Sequence, residues 1–245
     1  MTQPNNLKGK IALITGATHG IGKSIALTLA RAGAEIIAIG RTQSALEELD
    51  DDIKKIGYKA TLVPLDLTQS ELIEKLSNVL YDRYKKLDIL VCNAGILGSL
   101  TPINHIDENE WNKVISTNVT ANIALLRSFD RLLKMSRKAQ VLFLTSNIVQ
   151  LKKPFWGIYA ASKAALEQIA FSYAEEVRQT DISVNLVDPG AVATNLRSKA
   201  MPGEKQDSLT QPEDLSGFFI EVLNNNKNLH SQIFKFNEWK ESQNS

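Results

Sequence analysis

Lys10-Ile11-Ala12-Leu13-Ile14-Thr15-Gly16-Ala17-Thr18-His19-Gly20-Ile21-Gly22 is the stretch from which the fold is read. The apolar run Lys10–Thr15 has the length of a strand and passes directly into three glycines. Gly22–Ala32 then follows with the apolar spacing of a helix. Glycines let a backbone turn tightly and approach a diphosphate with no Cβ in the way. A helix N-terminus behind them offers free N–H groups and a partial positive charge to the same anion. The spacing is Gly-x-x-x-Gly-x-Gly, not the commoner Gly-x-Gly-x-x-Gly. A dinucleotide-binding turn is therefore the expectation, with an ordinary glycine-rich turn as the competing reading.

The same strand-then-helix alternation continues along the chain. Further strands are expected at Glu35–Gly40, Lys59–Pro64, Asp88–Cys92, Gln140–Thr145, Ser183–Val187 and Gln232–Phe236. Several are continuously apolar, as in Val141-Leu142-Phe143-Leu144, which suits strands covered on both faces. Helices are expected at Ser44–Ile56, Ser70–Tyr84, Glu110–Met135, Tyr159–Gln179 and Pro212–Leu223. The alternation predicts one α/β domain spanning 1–245, doubly wound, with a parallel seven-stranded sheet flanked by helices. Residues 191–211 show no periodicity and read as a substrate lid. The polar tail, 240–245, reads as frayed.

Composition excludes several classes. The chain has 245 residues, 43% hydrophobic and 22% charged, enough for a large core without a metal or disulfide staple. A net charge of +1 gives no field to hold nucleic acid or an anionic membrane surface. One cysteine, Cys92, allows no intrachain disulfide and fits a reducing cytosol. The polar N-terminus has no secretion-signal pattern, so a cytoplasmic location is expected. His19, His105 and His230 are dispersed, and no metal site is expected.

Two positions speak to the chemistry. The second strand ends in Arg41, 19 residues after Gly22, where an acidic residue would grip the ribose of NAD. An arginine there accommodates a 2′-phosphate, so NADP(H) is favoured over NAD(H), with His19 as a further contact. Tyr159 and Lys163 are four apart and share a helix face. Tyr81 and Lys85 have the same spacing but lie just before a strand, on the wrong side of the sheet, and no serine matches them. Tyr159 instead follows Ser146, thirteen residues upstream at the end of an apolar strand, where such sheets bind ligands.

With these residues in order, the sequence resembles the short-chain dehydrogenase/reductase family from about Lys8 to Pro189-Gly190. Asp66, Asn93-Ala94-Gly95, Asn118 and Thr194 complete the ordered set. The resemblance implies a Rossmann-type NAD(P)-dependent enzyme interconverting a small carbonyl compound and its alcohol. It implies Asn118, Ser146, Tyr159 and Lys163 as the catalytic group, with Asn118 supporting a water that links Lys163 to solvent. It also implies cofactor contacts by Thr15, Gly16, Thr18, His19, Gly20, Ile21, Gly22, Arg41, Asp66, Leu67, Asn93, Ala94 and Gly95. The Pro189, Gly190, Val192 and Thr194 clasp and Tyr159 and Lys163 themselves complete the cofactor set. A phenol's ordinary pKa of about 10 is too high for easy proton exchange near neutrality, and the Lys163 ammonium with an oxidised nicotinamide is expected to lower it.

The substrate is expected to meet Leu97, Asn147, Ile148, Trp156, Leu196 and Met201, a mainly apolar set. The family's usual glycine-rich end after the last strand is replaced by Asn237-Glu238-Trp239. A homodimer is expected ahead of a homotetramer. A non-catalytic NADP-binding sensor or scaffold remains as the alternative, and an epimerase or dehydratase on the same fold is disfavoured by the glycine spacing.

Overall fold

The computed structural model describes residues 7–224 and 229–243. Seven parallel strands form one sheet: β1 (Ile11–Thr15), β2 (Glu35–Gly40), β3 (Ala60–Pro64), β4 (Ile89–Cys92), β5 (Ala139–Leu144), β6 (Ile182–Asp188) and β7 (Ile233–Lys235). Their order is β3-β2-β1-β4-β5-β6-β7. The chain therefore winds outward from β1 in one direction and from β4 in the other. The crevice lies where the direction reverses, at the carboxyl ends of β1 and β4.

Helices α1 (Gly20–Arg31) and α2 (Gln43–Lys55) cover one face, joined later by α8 (Ser216–Asn224). Helices α3 (Ser70–Tyr84), α5 (Ala121–Lys134) and α6 (Gly157–Glu176) cover the other. Adjacent residues on one strand serve the two cores: Leu13 and Leu90 face the α5–α6 layer, whereas Ile14 and Val91 face α1. That alternation is why the central strands are apolar at every position. No described helix is long and apolar enough to cross a membrane.

Four segments differ from the sequence reading. The expected helix Glu110–Met135 begins earlier, as α4 (Glu108–Ile115), and passes through one π-helical turn, Ser116–Thr120, before α5. Asp107 caps its start by accepting from Glu110 N–H. The 191–211 segment is not structureless. It contains α7 (Asn195–Ala200), capped by Thr194, and a bridge from Val192 to Thr210. Pro212–Leu215 is a 3₁₀ turn that precedes α8. The last strand stops at Lys235, and α9 (Phe236–Gln243) continues through residues 240–243, which the sequence reading leaves as a frayed tail. Phe236 and Trp239 explain this helix, since both rings pack on Phe218 of α8. The end of the tail, 244–245, lies outside the described residues.

At the opposite end of the sheet from the crevice, Asp88 is 1% exposed. It accepts from Lys10, Lys86, Ser136 and the Ile11 N–H. Burial works against its charge, but Lys86, Ser136, Ile11 and Lys10 outweigh that and hold the carboxyl below its ordinary range. A depressed folded-state pKa means stabilisation present above about pH 4 and lost as pH falls through the folded value. Asp88→Asn is expected to destabilise the protein at pH 7 by about 3 kcal/mol, because the lysines lose a buried partner. The gap from the parent narrows in acid. Urea unfolding at neutral and acidic pH measures both, and equal stability at pH 7 contradicts the assignment.

Candidate active site

The glycine turn is built against the end of β4. Thr15, 1% exposed, donates to Val91 O at 3.2 Å and accepts from the Asn93 and Ala94 N–H groups. Asn93 answers by donating through its side-chain amide to Thr15 O (2.9 Å) and Gly16 O (3.2 Å). The Thr15 side chain therefore points into the sheet and shapes the turn from behind. A Cβ on Gly22 would lie 2.2 Å from Gly16 O and 2.4 Å from Asn93 Nδ2, so no other residue fits there. Gly20 has φ +51, and its Cβ would lie 3.1 Å from the Thr194 methyl. The turn and the segment after β6 thus face each other.

This cradle fits a diphosphate. The residue before α1, His19, makes no side-chain cap, and the helix has no acidic residue in its first turn. Its leading N–H groups and dipole are left for an anion. His19 is exposed, with Nδ1 2.8 Å from Thr18 Oγ1. Thr18 packs beside Gly40 at the end of β2, next to exposed Arg41. Asp66 accepts from Thr68 N–H and hydroxyl, and these bonds with the nearby Arg41 charge lower its pKa despite partial burial. Leu67 beside it is buried. Ile21 packs on the α1-side core.

The second half of the site hangs on the π turn. A π turn inserts an extra residue that re-aims a side chain. Here it turns Asn118, fully buried, across the loop after β4. Asn118 Oδ1 accepts from Ile96 N–H at 2.8 Å, and Nδ2 donates to Ile96 O and Ser162 Oγ, both at 2.9 Å. Both amide hydrogens are thereby used inside the protein. Ser162 donates back to Tyr159 O at 2.8 Å. Gly95 closes the bracket, since a Cβ there would lie 3.4 Å from Asn118 Oδ1 and 3.6 Å from Lys163 Nζ. The Asn93–Gly95 strip therefore touches both the glycine turn and Lys163.

Tyr159 and Lys163 lie on one face of α6, both buried, with Nζ 5.7 Å from the tyrosine ring centre. Lys163 donates to Leu144 O at 2.7 Å. Burial lowers its pKa to about 8, against smaller opposing effects of Cys92 and Glu167. The expected lowering of the tyrosine is not found in the protein alone. Burial, then the Asp188 carboxylate, push the phenol well above its ordinary value. Burial penalises the charged phenolate, and Asp188 adds to that penalty. Ser146 follows β5, and its hydroxyl accepts from Ile148 N–H at 3.4 Å. Tyr81 differs throughout: it stands between Arg131, 4.1 Å from its ring centre, and Lys85, as a half-buried helix residue.

Leu97, Ile148, Trp156, Tyr159 and Ala200 form a separate apolar cluster, with Leu100, Leu196 and Met201 packed on it. Five of the six expected substrate-facing residues thus gather around the Tyr159 ring. Asn147 is exposed and does not join them. Trp156 meets Tyr159 edge-on, centres 6.2 Å apart. Pro189 is buried, Gly190 (φ +72) donates to Asp188 Oδ1, and Val192 is buried in its bridge to Thr210. Sequence reading missed Ser162, Asp188 and Asn237, whose side chain would lie 3.3 Å from a Gly190 Cβ. Ser162 carried a signal, being inside the Tyr-to-Lys turn, whereas Asn237 had none.

The family profile described as short chain dehydrogenase matches residues 10–205. The Escherichia coli K12 oxidoreductase YciK is 32% identical over 220 residues, covering 89% of this chain and 87% of that protein. The 3-oxoacyl-[acyl-carrier-protein] reductase FabG of the same organism is also 32% identical over 220 residues, covering 89% and 88%. Among solved structures, a short chain dehydrogenase from Shigella flexneri complexed with NADP superposes with TM-score 0.91 at 30% identity, covering 95% of this chain and 99% of that one. A Pseudomonas syringae short chain dehydrogenase gives TM-score 0.92 at 30% identity, covering 96% and 97%.

Gly22→Ala is expected to weaken dinucleotide binding by about 100-fold or more, since the methyl displaces the Gly16 carbonyl from the turn. Fluorescence titration of the reduced dinucleotide checks this, with circular dichroism confirming the fold. Parental affinity contradicts it.

Proposed function

Because the chain belongs to the short-chain dehydrogenase/reductase family, we propose that this NAD(P)-dependent oxidoreductase prefers NADP(H) and interconverts a small neutral or hydrophobic carbonyl compound and its alcohol. The observation that carries the reading is the apolar cluster of Leu97, Ile148, Trp156 and Ala200 around Tyr159, with Lys163 one turn along the same helix.

When bound, NADPH supplies the hydride for the carbonyl carbon. The protein does the rest. The first turn of α1 and the glycine cradle hold the diphosphate, and Thr18, His19 and Arg41 stand at the end that distinguishes NADP from NAD. Asp66 and Leu67 hold the adenine, and Asn93, Ala94 and Gly95 flank its ribose. Pro189, Gly190, Val192 and Thr194 clasp the nicotinamide. The Ser146 hydroxyl polarises the substrate oxygen and stabilises the charge growing on it. Tyr159 donates its phenolic proton to that oxygen. The phenol is protonated at neutral pH, as donation to that oxygen requires, while burial, by pushing its pKa up, works against release of the proton. Lys163, with a pKa near 8, is largely charged at neutrality and holds ribose hydroxyls. Asn118 acts as a bracket from loop to helix, so the water linking Lys163 to solvent rests on its backbone carbonyl. That carbonyl also accepts from Asn122 at 2.8 Å. The apolar walls exclude water from the reacting atoms. A cytoplasmic homodimer, or a homotetramer, is the assembly we propose.

Two measurements test this. Tyr159→Phe is expected to lower kcat by about 1,000-fold while NADPH affinity stays within about threefold. A panel of ketones followed by NADPH absorbance reads it out, and retention of most of the turnover overturns the mechanism. Arg41→Ala is expected to reduce the NADPH-over-NADH preference in kcat/KM by about tenfold or more. An unchanged ratio removes Arg41 from cofactor selection.

A further inference from the structure

Helix α6 is fastened to the end of β5 by two consecutive bonds. Lys163 Nζ donates to Leu144 O at 2.7 Å, and Thr145 Oγ1 donates to Glu167 Oε1 at 2.6 Å. Lys163 and Glu167 are four apart and so lie one turn from each other on the helix face that also carries Tyr159. Leu144 ends the strand, Thr145 follows it, and the next residue is Ser146. Thr145 is 4% exposed and Glu167 half-buried, so water does not readily replace their bond. At such a site a hydrogen bond to a carboxylate is stronger than a neutral one.

The charges around Lys163 are few. From β4 comes Cys92, a thiol whose pKa burial pushes up, so it is neutral near pH 7. From α6 come the Tyr159 phenol, also neutral, and Glu167. Asn118 from the π turn and the Leu144 carbonyl are polar but do not titrate. Asp188 at the end of β6 acts on Tyr159. Among these groups Glu167 is the only full negative charge acting on the ammonium. Its described hydrogen-bond partner is a hydroxyl, so no ion pair cancels that charge.

We propose that Glu167 is a positioning residue for the reaction: its carboxylate fixes Thr145, and with it the adjoining Ser146, and its charge stands one helical turn from Lys163. The inference rests on the roles given to Ser146 and Lys163 above. It predicts two separable effects from one side chain. Removing the charge moves a pH dependence, whereas removing the hydrogen bond lowers turnover.

The test is NADPH affinity, by fluorescence, and kcat for a ketone, each across about pH 6 to 10. In the parent the affinity is expected to fall as pH rises through about 8, as Lys163 loses its proton. Glu167→Gln keeps an acceptor oxygen for Thr145 but removes the charge. It is expected to move that fall lower by about half a pH unit or more. Thr145→Val keeps the charge but not the bond. It leaves the affinity curve in place and lowers kcat about fivefold or more at every pH, with KM little changed. Glu167→Asp is too short to reach Thr145, so it restores the position of the curve but not kcat. An affinity curve for Glu167→Gln that superimposes on the parent overturns the inference, as does parental kcat in Thr145→Val. A Lys163→Met arm separates this failure from a deeper one. If that variant binds NADPH as tightly as the parent, the reading of Lys163 falls and Glu167 falls with it. If it binds weakly while Glu167→Gln does not shift, only the role of Glu167 is lost.

Discussion

Everything at this site depends on the stitch between the ends of β1 and β4. The Thr15 hydroxyl and the Asn93 amide bond each other's backbones, using two side chains to join strands adjacent in the sheet but separated by 78 residues in sequence. The stitch sets the glycine turn at a fixed distance from the Asn-Ala-Gly strip. That strip in turn abuts Asn118 and Lys163 at Gly95. The N-terminal end of α1 and the end of α6 that carries Tyr159 and Lys163 are therefore held by one short chain of contacts. Loosening it at Thr15 or Asn93 shifts the two halves relative to each other, and alignment of reacting groups is sensitive to shifts of about 1 Å.

Burial is the second constraint, and it governs the electrostatics. Lys163 is held where an ammonium is disfavoured, which brings its titration down to about 8. The same burial holds the phenol of Tyr159 in its protonated form. The two groups are driven in opposite senses by one cause, since low dielectric penalises whichever form is charged. At neutral pH the phenol is therefore protonated with the help of burial, whereas Lys163 is mostly an ammonium in spite of it.

The sheet was legible because its strands are buried on both faces and so carry unbroken apolar runs, as Ile89-Leu90-Val91 and Val141–Leu144 show. The glycine turn was legible because only glycine tolerates the Gly22 position. The Tyr159–Lys163 pair was legible by helical spacing, and Tyr81–Lys85 was separable from it by place in the chain. What escaped was set by long-range packing. The π turn at Ser116–Thr120 has no signature in its residues, because it is fixed by Asn118 reaching Ile96 and Ser162. Helix α9 depends on Phe236 and Trp239 finding Phe218. The order within 191–211 comes from Arg197 clasping Glu204 and from Val192 meeting Thr210. The upward push of burial on Tyr159 was not legible, because spacing shows a neighbouring charge but not the depth of burial.

The convergence of the two halves on one cofactor is the central claim, and a crystal structure with NADPH bound measures it most directly. The diphosphate is expected on the first turn of α1, with Lys163 Nζ within about 3 Å of a ribose hydroxyl and the nicotinamide between Tyr159 and Gly190. A cofactor bound elsewhere, or one whose nicotinamide lies away from Tyr159, contradicts it.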